Sequence, residues 1–243
     1  MESTPKHWTS ELLILFGIWL WDKGEYGHGL LCITGPQWGY KIGQQLMVSW
    51  DEIINEIGDD FYWEIDNPEI SNDNRAITEL ARDYIEKLYH LHKDDDVLDG
   101  TISIFRNSKT GKPLTTSTLN RELQRFGKIF LSEMEKKVGY KINLKPLKSN
   151  AFEIAWALKM LEKYLYSKKA FVFISNYMGH RTLKDTIKLL EVEPFDEIVV
   201  DFHGPYVQGG LTTETLNDKN KISEFIRNAE NDAYTQFKLN IAG

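Results

Sequence analysis

The stretch YMGHRTLKDTIKLL, residues 177–190, decides the fold of this 243-residue chain. A Gly-His pair at 179–180 separates two segments whose apolar spacing predicts short helices over 169–178 and 182–191. His180 is therefore expected at the start of a helix, where an imidazole either bonds to neighbouring protein groups or contacts an anion. From the sequence, both interpretations of His180 stay open.

Three further segments precede this stretch in a fixed order. They are KIGQQL followed by WDEI within 41–53, FR followed by GKPL and TLNR within 105–121, and INLKPLK at 142–148. Each segment taken singly is a weak signal. Four of them in order, ending on Gly-His, are much more specific.

Together the four segments resemble the active-site boxes of the tyrosine recombinases (phage integrase superfamily), whose consensus forms are RIGELLAL.W.DI, F…GKPLS..T.NR, ITPHSLRH and LGHxxxxTTxxYL. The resemblance covers roughly residues 26–192. It implies a tyrosine recombinase catalytic-domain-like fold over 1–192, mainly α with a small three-stranded antiparallel β-sheet (α+β). Residues 193–243 are then a C-terminal extension that contains an amphipathic helix at 221–238.

In active members of that family, two arginines, a hairpin lysine and two His or His/Trp positions surround the phosphate that a tyrosine attacks. Guanidinium groups suit this role because their planar fork donates two parallel hydrogen bonds. In this chain the arginine positions hold Lys41, or Gln37 after a four-residue shift, and Lys148. The histidine before the second arginine is Lys145, and no lysine between 41 and 87 matches the hairpin lysine.

The nucleophile position holds Leu189, and an alkyl side chain cannot attack phosphorus. The resemblance therefore implies that no catalytic set is intact and that His180 alone is kept. Lysines still attract phosphate as mobile point charges, but they lose the geometry that a transition state needs. The predicted partner is double-stranded DNA, with no metal and no cofactor, and the predicted phosphate-binding residues are Lys41, Lys145, Lys148, His180, Arg181, Lys184, Lys109, Lys112 and Arg121.

The distribution of charge supports this interpretation better than the net charge of −7 does. Residues 1–100 carry a balance of −13, residues 101–190 carry +12, and residues 191–243 carry −6. A basic block between acidic flanks fits one cationic face. The alternative is an ordinary solvated surface rich in lysine.

Two other functions stay open at this stage. A divergent recombinase could use a relocated tyrosine, for which Tyr177, Tyr206 and Tyr234 are the candidates. A protein-interaction module could keep the fold and lose DNA binding. Integrases also carry a separate helical N-terminal domain, and the sequence begins almost at the helix before the first box, so that domain is missing or lies outside the sequence.

The remaining pattern predicts elements along the whole chain. Expected are helices at 10–22, 26–34, 41–50, 80–91, 115–137 and 148–165, strands at 61–65, 76–80 and 102–105, a turn-rich break at 34–39 and irregular structure at 194–219. The helix at 221–238 either packs on its own domain or docks on a second copy of the chain, which would form a homo-oligomer. His90 and His92 precede an acidic run and indicate a solvated helix end or, less readily, a metal site.

The single cysteine, Cys32, lies in an apolar run and predicts a buried thiol in a reducing compartment. The apolar run Leu12–Trp21 is too short to span a bilayer and lacks the basic leader of a signal peptide. We therefore expect a soluble, cytoplasmic protein with no membrane partner.

Overall fold

The computed structural model describes residues 6–57, 60–65, 75–76, 78–92, 102–194 and 211–230. Its helices are α1 Ser10–Asp22, α2 Tyr26–Trp38, α3 Ile42–Gln45, α4 Trp50–Ile53, α5 Glu79–His92, α6 Thr116–Val138, α7 Ala151–Lys163, α8 Lys168–Tyr177, α9 Leu183–Leu190, α10 Thr213–Asn217 and α11 Lys219–Glu230. Its strands are β1 Ile54–Ile57, β2 Asp60–Ile65 and β3 Arg75–Ala76. They pair antiparallel in the order β1-β2-β3, with Ile54 opposite Trp63 and Glu64 opposite Ala76.

Helices α1 and α2 form a central antiparallel pair. Thr9 caps α1 by accepting a hydrogen bond from the backbone N–H of Leu12. Both helices are apolar on nearly all sides, which is the pattern of helices buried within a core. Their backbones meet closely at Gly17 and Gly29, since a β-carbon on Gly17 would lie 2.7 Å from the carbonyl oxygen of Gly29.

The break predicted at 34–39 is wrong, because α2 continues through Pro36 to Trp38. Proline removes one hydrogen bond from a helix. Nearby side chains bond to other carbonyls of the same helix, with Thr34 donating to Leu30 and Gln37 donating to Ile33. Burial on all sides then favours the helical conformation despite the proline, and the helix ends at Gly39 in the left-handed region (φ 64°).

Helix α6 is amphipathic and packs its apolar face on this central pair. Phe130 lies 5.2 Å from the Phe16 ring centroid and 5.7 Å from that of Trp19. The strand predicted at 102–105 is also wrong, because the structure has only isolated bridges there, one between Ser49 and Ser103 and one between Arg106 and Pro113. Single bridges do not form the continuous ladder of hydrogen bonds that defines a strand, so residues 102–105 are an irregular segment.

Helices α7, α8 and α9 enclose a second, smaller hydrophobic cluster that includes Trp156, Phe171, Ile174 and Leu190. Helix α7 begins at Ala151, later than predicted, so that Lys148 precedes the helix. The turn between α7 and α8 places Leu165 and Tyr166 in the left-handed region (φ 53° for both).

The C-terminal extension contains a short helix, α10, in a stretch predicted to be irregular. Helix α11 buries Ile222, Ile226 and Ala229 in the main core against α1 and α6, so within the described range it packs on its own chain. The predicted helix at 221–238 is described only to Glu230, and its remainder lies outside the described residues. Residues 195–210 of the stretch predicted to be irregular lie outside them too.

Cys32 is completely buried, and burial raises the pKa of its thiol well above the ordinary value. Among the helices that the structure describes, none has both the length and the apolar character needed to cross a bilayer.

Candidate functional site

The segment before α9 is held by its own hydrogen bonds. Thr182 and Asp185 form a capping box in which each side chain bonds to the backbone N–H of the other residue. His180 Nδ1 lies 2.8 Å from the hydroxyl oxygen of Thr186, a buried residue on the first turns of α9. Any contact of His180 with an outside group would therefore have to use Nε2.

Lys41 lies beside this segment. A β-carbon on Gly179 would be only 3.3 Å from Lys41 Nζ. Lys41 also acts on Glu153 of α7, where burial raises the pKa of the carboxyl group and the positive charge of Lys41 opposes that rise. The structure thus brings Lys41 to the Gly179–His180 segment, with a carboxyl group nearby.

Gln37, the alternative for the first arginine position, does not serve that role. It is buried, its amide donates to the Ile33 carbonyl, and its carbonyl oxygen accepts from the Thr78 hydroxyl. A side chain held in this way supports α2 rather than presenting a polar group to a ligand.

Lys145 lies at the opposite end of α9. Its Nζ is 2.6 Å from Glu191 Oε1 and 3.0 Å from His7 Nε2. The hydrogen bond from Lys145 lowers the pKa of Glu191, while burial, followed by the charge of Lys145, lowers the pKa of His7. Glu191 is the C-cap of α9 in the left-handed region (φ 59°), and its carboxylate lies within reach of both Lys145 and His7.

Lys41 and Lys145 therefore mark the two ends of α9. A helix of eight residues rises about 12 Å, which is the approximate separation of the two ends. Leu189, which the sequence resemblance predicts at the nucleophile position, lies near the Lys145 end, half-buried against the second hydrophobic cluster. A cavity of about 120 Å³ opens beside His7 and Glu191, between α1, α7 and α11.

Of the three tyrosines considered as substitutes, only Tyr177 is described. Its hydroxyl donates to the carbonyl of Trp38 at 3.3 Å, and its ring centroid lies 4.5 Å from that of Trp156. These contacts join α8 to the end of α2 and explain Tyr177 structurally. Tyr206 and Tyr234 lie outside the described residues.

A third group of cations lies at the start of α6. The side chain of Asn120 accepts a hydrogen bond from the Ser149 N–H at 2.8 Å, which joins α6 to the segment before α7. This bond brings their neighbours Arg121 and Lys148, both exposed, to one region. Lys112 is exposed on the preceding turn.

The remaining predicted residues differ in their surroundings. Lys109 Nζ is 2.9 Å from a buried carboxylate, that of Glu25. Arg181 and Lys184 are exposed around the start of α9, where Asp185 adds a negative charge.

Acidic residues from both flanks pair with lysines of the central basic block. Such pairs join Lys109 to Glu25, Lys145 to Glu191 and Lys159 to Glu11. The predicted cationic face is thus partly neutralised by the chain itself. The sequence did not predict that Glu153, Glu191 and His7 lie beside the candidate lysines. The one signal in the sequence was that Glu191 lies two positions after Leu189 of the last predicted box.

Comparison with known proteins supports the fold. No protein-family model matches the sequence, and no curated protein matches it. Among solved structures, the crystal structure of XerA recombinase is similar, with a TM-score of 0.51 at 14% sequence identity. The similarity covers 79% of this chain and 61% of that chain, so this chain spans less than two thirds of the XerA chain. The fold resembles that of a tyrosine recombinase, in agreement with the prediction from the four segments.

Proposed function

We propose that this recombinase-like chain binds double-stranded DNA through its phosphates and does not cut it. Its role would be that of a regulator or accessory factor of a mobile element or prophage. The observation that supports the proposal is the recombinase-like fold, taken together with the Leu189 that the sequence resemblance puts at the nucleophile position. A fold preserved without its nucleophile can keep the affinity for its substrate while losing the chemical step.

The proposed phosphate contacts form three groups around α9 and α6. Lys41 and His180 lie before α9, with Arg181 and Lys184 on the same side. Lys145 lies in space at the C-terminal end of α9, where it contacts Glu191. Lys148 lies with Arg121 near the start of α6. Lys109 and Lys112 extend this last group along the preceding turn. Lysine suits such contacts because phosphate attraction needs charge, whereas catalysis needs fixed geometry.

Charge reversal tests the DNA contacts. The double variant Lys145→Glu/Lys148→Glu should bind a duplex at least about tenfold more weakly, and the slope of log affinity against log salt should fall by about 1.8 because two phosphate contacts are lost. The matched control is Lys168→Glu/Lys169→Glu on α8, which changes net charge equally and should lose much less affinity. Fluorescence anisotropy across a salt series measures both, with melting temperatures to confirm folding. Equal losses in the two variants would contradict the assigned contacts.

A suicide substrate with a nick beside the cleavage site tests the chemistry. We expect no covalent protein–DNA adduct from the native chain, and none from Leu189→Tyr, because the arginine positions hold Lys41 and Lys148. An adduct that Tyr206→Phe or Tyr234→Phe abolishes would establish a divergent active recombinase instead. The assay needs the DNA target, so it follows selection of a bound sequence from a random library.

A second candidate function is a protein-interaction module on the same fold. The observation in its favour is that Glu25, Glu191 and Glu11 pair with lysines of the basic block. Under this alternative the chain binds no DNA even at low salt. The salt series described for the charge-reversal variants distinguishes the two functions directly.

A further inference from the structure

A cavity of about 190 Å³ lies away from α9, between the start of α2, the end of α5 and the turn at 104–111. Neither the sequence segments nor the proposed phosphate contacts assign a role to it. The residues that line it are Tyr26, Gly27, Trp50, Leu88, His92, Ile104, Arg106, Asn107, Ser108 and Gly111.

The wall of this cavity is built from closely packed backbone. A β-carbon on Gly27 would lie 1.9 Å from the carbonyl oxygen of Arg106, so α2 and the turn touch without an intervening side chain. The Tyr26 N–H donates to the Ser108 hydroxyl at 2.8 Å. The turn itself is closed by a hydrogen bond of 2.8 Å from the Asn107 N–H to the Lys112 carbonyl. These contacts join α2 to the turn along one side of the cavity.

The lining divides into aromatic and polar parts. Trp50 is held by an edge contact with Tyr89, and Tyr26 by one with Trp21, at centroid distances of 5.9 and 5.0 Å. Leu88 and Ile104 complete the apolar part, and the polar part consists of His92, Arg106, Asn107 and Ser108. A cavity with aromatic walls and several hydrogen-bonding groups suits a flat ring that carries donors and acceptors on its edge.

The volume limits the size of that ring. An engineered apolar cavity of about 150 Å³ holds benzene, so 190 Å³ accommodates one planar heterocycle but not an attached sugar and phosphate. Those groups would have to remain outside the opening. Lys112 is exposed on the same turn, where it can meet a phosphate.

We propose that this cavity binds one nucleobase, with the sugar and phosphate left at the surface near Lys112. The base belongs either to a free mononucleotide or to a DNA strand from which it has been turned out. Only the second source rests on the proposed DNA binding, since a free nucleotide would be bound whether or not the chain contacts DNA.

Calorimetric titration of the full chain with the four deoxynucleoside 5′-monophosphates tests the cavity, with deoxyribose 5-phosphate as the probe that lacks a base. We expect at least one nucleotide to bind and the sugar phosphate not to bind. His92→Ala should weaken the nucleotide by about fivefold, the effect of one lost hydrogen bond. His90→Ala, two residues earlier on the same helix and outside the lining, should leave affinity within about twofold. Leu88→Trp, which fills the cavity, should abolish binding if its melting temperature shows that it folds.

The second source is tested with single-stranded oligonucleotides that differ only in one abasic position. Three results together would show that the base comes from DNA. Free nucleotides do not bind, the intact strand binds more tightly than the abasic strand, and His92→Ala removes the difference between the two strands. Equal binding of nucleotide and sugar phosphate would overturn the proposal. So would the absence of nucleotide binding together with equal binding of the two strands. Either result leaves the salt-dependent duplex binding untouched, so the two proposals fail independently.

Discussion

Helices α1 and α2 differ from α8 and α9 in how they are held. Ten of the 13 residues of α1 are buried, whereas only two of the eight residues of α9 are. The first pair lies in the middle of the main core, and the second covers a smaller cluster at the surface. Helix α9 buries Thr186 and Leu190 against that cluster, and a capping box holds its first turn.

This difference separates the part of the chain that sets stability from the part that carries the candidate site. A substitution in α1 or α2 changes the free energy of unfolding of the whole domain. A substitution in or beside α9 changes which charges face the solvent. Changes of the charged residues around α9 are therefore compatible with an intact fold.

The largest expected effect tests the burial of α1. Phe16→Ala removes a fully buried ring that contacts Trp8, Trp19 and Phe130, and should lower the free energy of unfolding by about 3–5 kcal/mol. Phe173→Ala on α8, where 40% of the residue is exposed, should cost well under half as much. Urea unfolding followed by circular dichroism measures both variants. Similar costs would remove the contrast between the two regions.

A smaller effect is expected from the cap of α9. Thr182→Ala removes both side-chain hydrogen bonds to Asp185 and should cost about 1 kcal/mol of unfolding free energy. Thr115→Ala is the matched control, since Thr115 precedes α6 without a side-chain capping bond and should cost less. A cost for Thr182→Ala that is negligible, or no larger than that of Thr115→Ala, would contradict a specific contribution of the capping bonds to α9.

A third prediction concerns the ion pair at the end of α9. Glu191→Gln removes the carboxylate that neutralises Lys145, and should strengthen duplex binding by about two- to fivefold, the range of a surface ion pair. Glu193→Gln changes net charge equally at an exposed position two residues away and should have a smaller effect. Anisotropy at low salt measures both, and equal effects would mean that only net charge matters.

The smallest effect is the pH dependence of stability at His7. Burial, and after it the charge of Lys145, lowers the pKa of His7 below its ordinary value of 6.5. When the pH falls below 6.5, the unfolded chain therefore takes up a proton at His7 more readily than the folded chain does. His7 therefore costs no stability above the unfolded pKa, and stability is lost as the pH falls from it towards the folded pKa. His7→Gln should lose less stability than the native chain between pH 7.5 and 5.5 in urea unfolding. An identical loss would exclude His7 as the cause.

The helical elements could largely be predicted from the sequence because most of them have strong apolar patterns. Helices α1, α5, α6, α8 and α9 match their predicted positions within a few residues. The continuation of α2 through Pro36 could not be predicted, since it depends on side-chain bonds within a buried helix. Helix α10 was missed because five residues are too few to show a periodicity.

The candidate site was only partly predictable for a different reason. The order of the motifs indicated that Lys41 and His180 belong to one site, and the structure brings Lys41 to the Gly179–His180 segment. The partners of the lysines were not predictable, because Lys145 and Glu191 are 46 positions apart in the sequence and meet only in the folded chain.

The burial of Cys32 has a practical consequence for studying this molecule. Its thiol is enclosed and kept protonated, and the chain has no other cysteine. A cysteine introduced at an exposed position outside the proposed DNA contacts, for example at Lys128 or Lys136, would be the one thiol that a maleimide dye or spin label reaches. The native chain is thus already a background for single-site labelling, with which distances to a bound oligonucleotide can be measured without removing a residue from the core.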